Sequence, residues 1–325
     1  MKSIFYKTLE RYIPYIFVKG FAAISKNEAI ERIALRRFIL KLANNPEKCI
    51  QKAKRKKRIY IIKKAKYKFA FFDVCFANAM MGNIIYSLYK GYVPIFDNTW
   101  NKYFEQPIKY SDDYEMHEYP FLESLIQPQI VDIFDEDMKT VWTTLYNRFI
   151  RLSEYHCKDY IENEISSILS REKTLGVLVR GTDYLILKPQ GHPIQPTIEV
   201  IINDVKKLVT EKKYTKIYLA TDEKAVVEVF ENEFQGMILT NKRKYYDDIY
   251  QKRESKNVSD ILITNYHFQR QNDDFLKGLE YLSSLMILSN CNAMIGGACG
   301  GTSFAYYMNN NQYEYCMIYN LGVYE

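Results

Sequence analysis

Acidic residues are scarce in the first fifth of this chain. Residues 1–68 hold 4 Asp and Glu against 20 Lys and Arg, a net +16, while the rest carries 25 Lys and Arg against 35 acids, a net −10. The overall +6 therefore hides two parts of opposite sign, and the basic character belongs to the amino-terminal segment. Long apolar runs are missing too: the patch from Tyr12 to Ile24 is interrupted by Pro14 and Lys19 and falls short of the roughly 20 residues a spanning helix needs. It has no good cleavage site, so no secretory leader is expected, and it either packs on the protein or lies on a membrane surface. The six cysteines (Cys49, Cys75, Cys157, Cys291, Cys299 and Cys316) form no CxxC pair and no metal-ligand spacing. That argues against a disulfide framework and for a reducing, cytosolic setting. Neither GxGxxG with a downstream acid nor a Walker loop occurs, which leaves an NAD or ATP site without support. Asp112-Asp113 and Asp247-Asp248 lie in polar loop segments rather than on a strand, so no metal is expected. No internal repeat is evident.

What is present is the composition of a globular protein, 47% hydrophobic and 26% charged, with 325 residues to bury a core. Three parts are read: a basic amphipathic segment over 1–58, a first α/β domain with a connecting helix over 59–172, and a second α/β domain over 173–325. Helical spacing runs through the first part, with Ile30, Ile33, Ala34, Phe38 and Leu42 on one side. Lys48 to Lys68 contains 11 Lys and Arg and no acid. Without a nucleic-acid-binding motif it reads as a solvated helix face or a partner for anionic lipid headgroups, not for nucleic acid.

The first strand is expected at Phe69–Val74, followed by a helix over Asn78–Lys90 and a strand at Val93–Asp97. Residues 99–135 read as an irregular, acceptor-facing insertion, and 137–169 as one long connecting helix. In the second half, Leu175–Val179 is a continuous apolar run, the pattern of a parallel strand buried on both faces. A helix from Thr197, a strand at 217–220, a helix at 223–230 and a strand at 237–239 follow. After the loop 241–272 come a helix at 273–288, a strand at 293–295, a glycine turn, a helix at 302–308 and a strand at 316–319. This alternation predicts a doubly wound, Rossmann-like sheet.

Arg180 then stands at the carboxyl end of a buried strand, where such sheets bind ligands. A guanidinium there either clamps a phosphate or pairs with a neighbouring carboxylate. Gly296-Gly297-Ala298-Cys299-Gly300-Gly301-Thr302-Ser303 leaves a strand and enters a helix, whose free N–H groups favour an anion; a merely tight turn is the alternative. Asp222 ends another strand and either holds ribose, orients the loop or caps the next helix. His192, between Gly191 and Pro193, is either a turn residue or, with Asp183, a candidate base for an acceptor hydroxyl. Glu280 lies on a helix, where a lone acid is usually solvated.

Val177-Leu178-Val179-Arg180-Gly181-Thr182-Asp183, His192-Pro193 and Tyr218-Leu219-Ala220-Thr221-Asp222 together resemble the alpha-1,6-fucosyltransferases and related O-fucosyltransferases. Gly278-Leu279-Glu280, Leu288-Ser289-Asn290-Cys291 and Gly300-Gly301-Thr302-Ser303 follow in the family's order. The resemblance covers about half the chain, from residue 174 onward. It implies a GT-B-like fold of two Rossmann-like domains with a deep interdomain cleft, and an inverting, metal-independent glycosyltransferase. The donor would be a GDP-sugar, GDP-fucose first; the acceptor, a cell-surface or lipid-linked glycan. Arg180, Asp222, Glu280 and Gly300 to Ser303 would hold the donor, and Glu280 would read the purine. Leu178 stands where the family has a histidine, and Lys188 near the place of its loop carboxylate. Those departures keep open a non-catalytic, membrane-peripheral nucleotide-binding protein, and a transferase of another nucleotide sugar is the alternative among enzymes. The expected location is the cytoplasm or the inner face of the cell membrane.

Overall fold

The computed structural model describes residues 13–63, 71–119, 126–169, 172–180, 184, 188–247 and 265–325. They fall into two compact units, one within 1–69 and 75–151 and the other within 70–74 and 152–325. Each unit is α/β and built on a wholly parallel sheet, as two Rossmann-like domains require.

The first unit begins with three helices, α1 (Tyr15–Ser25), α2 (Glu28–Asn44) and α3 (Pro46–Lys54). Asn27 starts α2 by accepting the N–H groups of Ala29 and Ile30, which supplies partners for donors the helix cannot satisfy itself. The expected apolar face of α2, Ile30, Ile33, Ala34, Phe38 and Leu42, is buried, and α2 packs on α5 (Glu136–Phe149). The described helices of the segment 1–58 lie within this unit and contribute buried residues to it.

The sheet of this unit has the order β2-β1-β3, from β1 (Arg58–Lys63), β2 (Val93–Asp97) and β3 (Glu115–Tyr119), with helix α4 (Val74–Lys90) between β1 and β2. The expected first strand, 69–74, is not where the sheet begins: 69 and 70 lie outside the described residues, 71–73 are not in a strand and Val74 opens α4. The strand is instead Arg58-Ile-Tyr-Ile-Ile-Lys63, inside the basic run. Ile59 and Ile62 are wholly buried, while Arg58 and Lys63 end the strand in ion pairs with Glu115 (3.4 Å) and Glu118 (2.7 Å). Part of the run read as a solvated face is thus the central strand. Ile62→Ala is expected to cost about 2–5 kcal/mol in chemical denaturation, and Lys63→Ala under about 1 kcal/mol. Equal, small effects would return the whole run to the surface.

Residues 99–135 also differ from expectation, for Trp100, Tyr103, Phe104 and Ile108 are buried and β3 completes the sheet. The long connecting helix is two helices. Ile150 takes extended backbone (φ −94°, ψ 107°) and ends α5, and α6 (Lys158–Ile168) belongs to the second unit, packed on α9 (Asp273–Ser289).

The second unit follows its predicted alternation closely. Its strands are β4 (Thr174–Leu178), β5 (Lys216–Ala220), β6 (Ile238–Leu239), β7 (Ala293–Gly297) and β8 (Tyr315–Tyr319). Helices α7 (Ile198–Lys212), α8 (Lys224–Glu233), α9 and α10 (Gly300–Asn309) connect them. The order β6-β5-β4-β7-β8 runs outward from β4 to one edge, then restarts on its other side. All five residues of β4 and all five of β7 are buried, as expected of central parallel strands covered on both faces.

Candidate functional site

The reversal of strand order lies between β4 and β7. Connections leave the carboxyl ends of these two strands in opposite directions, and the crevice so formed is where open α/β sheets bind ligands. The residues that leave β4, β5 and β7 there are Val179-Arg180, Thr221-Asp222 and Ala298-Cys299.

Val179 is held by donating its N–H to the carbonyl of Ala220 (3.0 Å), which fixes the start of Arg180. The guanidinium sits 3.5 Å from Asp222 Oδ2 and 5.2 Å from the centre of the Tyr184 ring. The two open readings of Arg180 are thus compatible: a distant carboxylate orients a guanidinium that remains one-quarter exposed. Asp222 is 7% exposed, and its Oδ1 has no hydrogen-bond partner among the described residues. It does not cap the next helix. Asp247 does, accepting from Lys224 N (3.0 Å) and Ala225 N (3.1 Å) at the start of α8.

The glycine turn is built differently from expectation. None of Gly296, Gly297, Gly300 and Gly301 has the positive φ that only glycine adopts readily. Space is short at Gly297, where a Cβ would lie 2.0 Å from Gln195 Oε1, and tight at Gly301, where one would lie 3.1 Å from both Leu178 Cδ1 and Tyr281 Oη and those side chains would have to yield a few tenths of an ångström. Thr302, wholly buried, spends its hydroxyl on the carbonyl of Gly297 (2.6 Å) and so locks the turn. Ser303 Oγ, by contrast, is buried at the first turn of α10 and has no partner among the described residues. Gln195, which the sequence reading missed, packs against the same turn. Its Nε2 donates to the carbonyls of Ala298 (2.8 Å) and Pro193 (3.1 Å), while its buried Oε1 has no partner among the described residues.

His192 is exposed, with Nδ1 3.2 Å from Tyr184 Oη, so Tyr184 stands between it and Arg180. Its loop is pinned by the chain's last residues: Tyr324 N–H donates to the His192 carbonyl (2.9 Å) and Gly191 N–H to that of Tyr324 (2.8 Å). Asp183 lies outside the described residues. Glu280 is not a solvated acid. Arg270 forks onto both its oxygens (Nη2–Oε2 3.2 Å, with Nη1 on Oε1), and Lys244 N–H donates to Oε2 (3.3 Å). Arg270 also donates to Asp273 Oδ1 (2.7 Å). His267, Asp273 and Asp274 come together in a way that could hold a cation, but Lys277 Nζ already lies 3.7 and 3.6 Å from the two carboxylates.

No protein-family model and no curated protein matches the chain. Among solved structures it is similar to POFUT1 in complex with GDP-fucose, at 9% identity, covering 81% of this chain and 74% of that one with a TM-score of 0.38. A POFUT1 complex with GDP gives 7% identity, 81% and 98% coverage and a TM-score of 0.42. The fucosyltransferase NodZ from Bradyrhizobium gives 14% identity, 78% and 92% coverage and a TM-score of 0.39.

Proposed function

We propose that this protein is an inverting, metal-independent glycosyltransferase whose second unit holds a GDP-sugar, GDP-fucose first, and whose acceptor is a cell-surface or lipid-linked glycan. One observation carries the reading. At the reversal point of the second sheet, Arg180 and the start of α10 accompany three buried side-chain oxygens that lack partners among the described residues: Asp222 Oδ1, Gln195 Oε1 and Ser303 Oγ. Buried polar atoms are nearly always hydrogen-bonded, so three at one sheet edge favour a polar ligand. A cation and free helix N–H groups favour a phosphorylated one.

In the proposed reaction an acceptor hydroxyl attacks the anomeric carbon from the side opposite the diphosphate. The new C–O bond forms as the bond to the β-phosphate oxygen breaks, and the hydroxyl proton passes to Asp183 or His192. Arg180 and the α10 N–H groups meet the charge that develops on the departing diphosphate, a task given to a divalent cation in other transferases. Glu280 suits the adjacent N–H donors of guanine, which uracil lacks, and the fucosyltransferase-like stretches Val177–Asp183 and Gly300–Ser303 support fucose as the sugar.

Thermal-shift binding with GDP, UDP, CMP and ADP, followed by product formation with the matching sugar nucleotides, tests the proposal. GDP is expected to give the largest shift, and GDP-fucose to be consumed with release of GDP. A stronger shift with UDP moves the donor class, and nucleotide binding without turnover for any sugar makes the protein a non-catalytic binder.

A further inference from the structure

Helix α1 packs inward through Val18 and Ala22, which are 0% and 6% exposed. On its opposite side Ile16, Phe17, Phe21 and Ile24 are 73%, 66%, 43% and 82% exposed. Their spacing of i, i+1, i+5 and i+8 makes one continuous stripe, which is a different matter from scattered surface apolar residues. Beside it, Lys19 points to the inner side, its ammonium 4.4 Å from the Tyr89 ring centre and 6.0 Å from that of Phe38. Burial and the ammonium groups of Lys52, Lys56, Lys90 and Lys41 push Lys19 down to about 8. Those four neighbours are exposed, and only Lys90 has an acidic partner among the described residues, Glu31 at 2.6 Å. Over residues 13–57 there are 12 Lys and Arg against 3 Glu.

We infer that this face of α1, with the lysines gathered beside it, docks the protein on an anionic phospholipid bilayer. The charge decides the occupant. A second copy of the same segment would bring cations against cations, whereas phosphatidylserine headgroups offer an anionic surface for the lysines and acyl chains for the stripe. A nucleic acid would satisfy the lysines but leave four large apolar side chains in water. The helix lies in the interface rather than through it, for no described helix is long and apolar enough to cross a membrane. This inference is independent of the chemistry proposed for the second unit.

Because α2 and α3 belong to the core of the first unit, truncation is a poor test and surface substitution a good one. The full chain is expected to sediment with vesicles of phosphatidylcholine and phosphatidylserine at low salt, to be released at high salt, and to ignore vesicles of phosphatidylcholine alone. Phe17→Asp/Ile24→Asp and, separately, Lys41→Glu/Lys52→Glu are each expected to weaken the partition by at least about tenfold. All four positions are exposed, and an unchanged circular dichroism spectrum confirms that both variants fold. The inference is overturned by absent binding, by equal binding to both vesicle types, or by variants that bind like the parent. It is equally overturned if the stripe variant abolishes a concentration-dependent dimer instead.

Discussion

Arg180→Ala is expected to lower turnover by at least about 10²-fold, with a much smaller change in the apparent affinity for the donor. β4 sets where Arg180 stands. Its five buried residues fix the backbone up to Leu178, and the Val179 N–H bond to Ala220 carries that order one residue further. Arg180 therefore emerges at a set place on the carboxyl edge, where Asp222 and the Tyr184 ring limit its orientations. A guanidinium held this way is a preorganised charge, and it acts most strongly on negative charge that grows as the bond to the diphosphate breaks. Arg180→Lys keeps the charge but loses the planar fork, and is expected to recover only part of the rate. The alanine variant also leaves the buried Asp222 without its cation, so its unfolding midpoint should fall, and kcat is to be compared well below that midpoint. A folded Arg180→Ala protein with near-parental kcat would remove Arg180 from the chemistry.

The second sheet was legible because a strand buried on both faces reads as an unbroken apolar run. Leu175 to Val179 and Ala293 to Ile295 do so, and the intervening helices show a clear period. β1 was hidden for the opposite reason. Its apolar residues sit between Arg58 and Lys63 within a basic run, and composition over a window averages them away. The glycine turn was located correctly but explained incompletely, since a sequence cannot distinguish a glycine needed for ligand approach from one needed because Gln195 or Tyr281 fills the space. Gln195 carried no signal at all: a polar residue between prolines reads as loop, and only the fold brings it against Ala298, over 100 residues away. The partner of Glu280 was equally hidden, because Arg270 lies in a stretch with no period, and its fork closes only when that stretch folds onto α9.

That ion pair sharpens the test of base recognition. If Glu280 reads guanine, the base must take the place that Arg270 occupies, so the pair competes with the ligand. Glu280→Gln is expected to weaken GDP binding by roughly ten- to a hundredfold, the equivalent of about 1.5–3 kcal/mol for a hydrogen bond to a charged group, and to erase most of the preference for GDP over UDP. The same change leaves Arg270 with Asp273 as its remaining described acidic partner. Some loss of stability is therefore expected, since removing one member of a largely buried pair strands the other. Arg270→Gln should do the reverse for binding, freeing the carboxylate and leaving GDP bound as tightly as in the parent or more tightly. The double variant separates the two roles: it should regain much of the stability lost by Glu280→Gln while remaining unable to tell GDP from UDP. Calorimetric titration of both nucleotides, with thermal unfolding of all four proteins, gives the full cycle. If GDP preference survives in Glu280→Gln, or Arg270→Gln weakens GDP as much as Glu280→Gln does, Glu280 and Arg270 form a structural clasp and the base is read elsewhere.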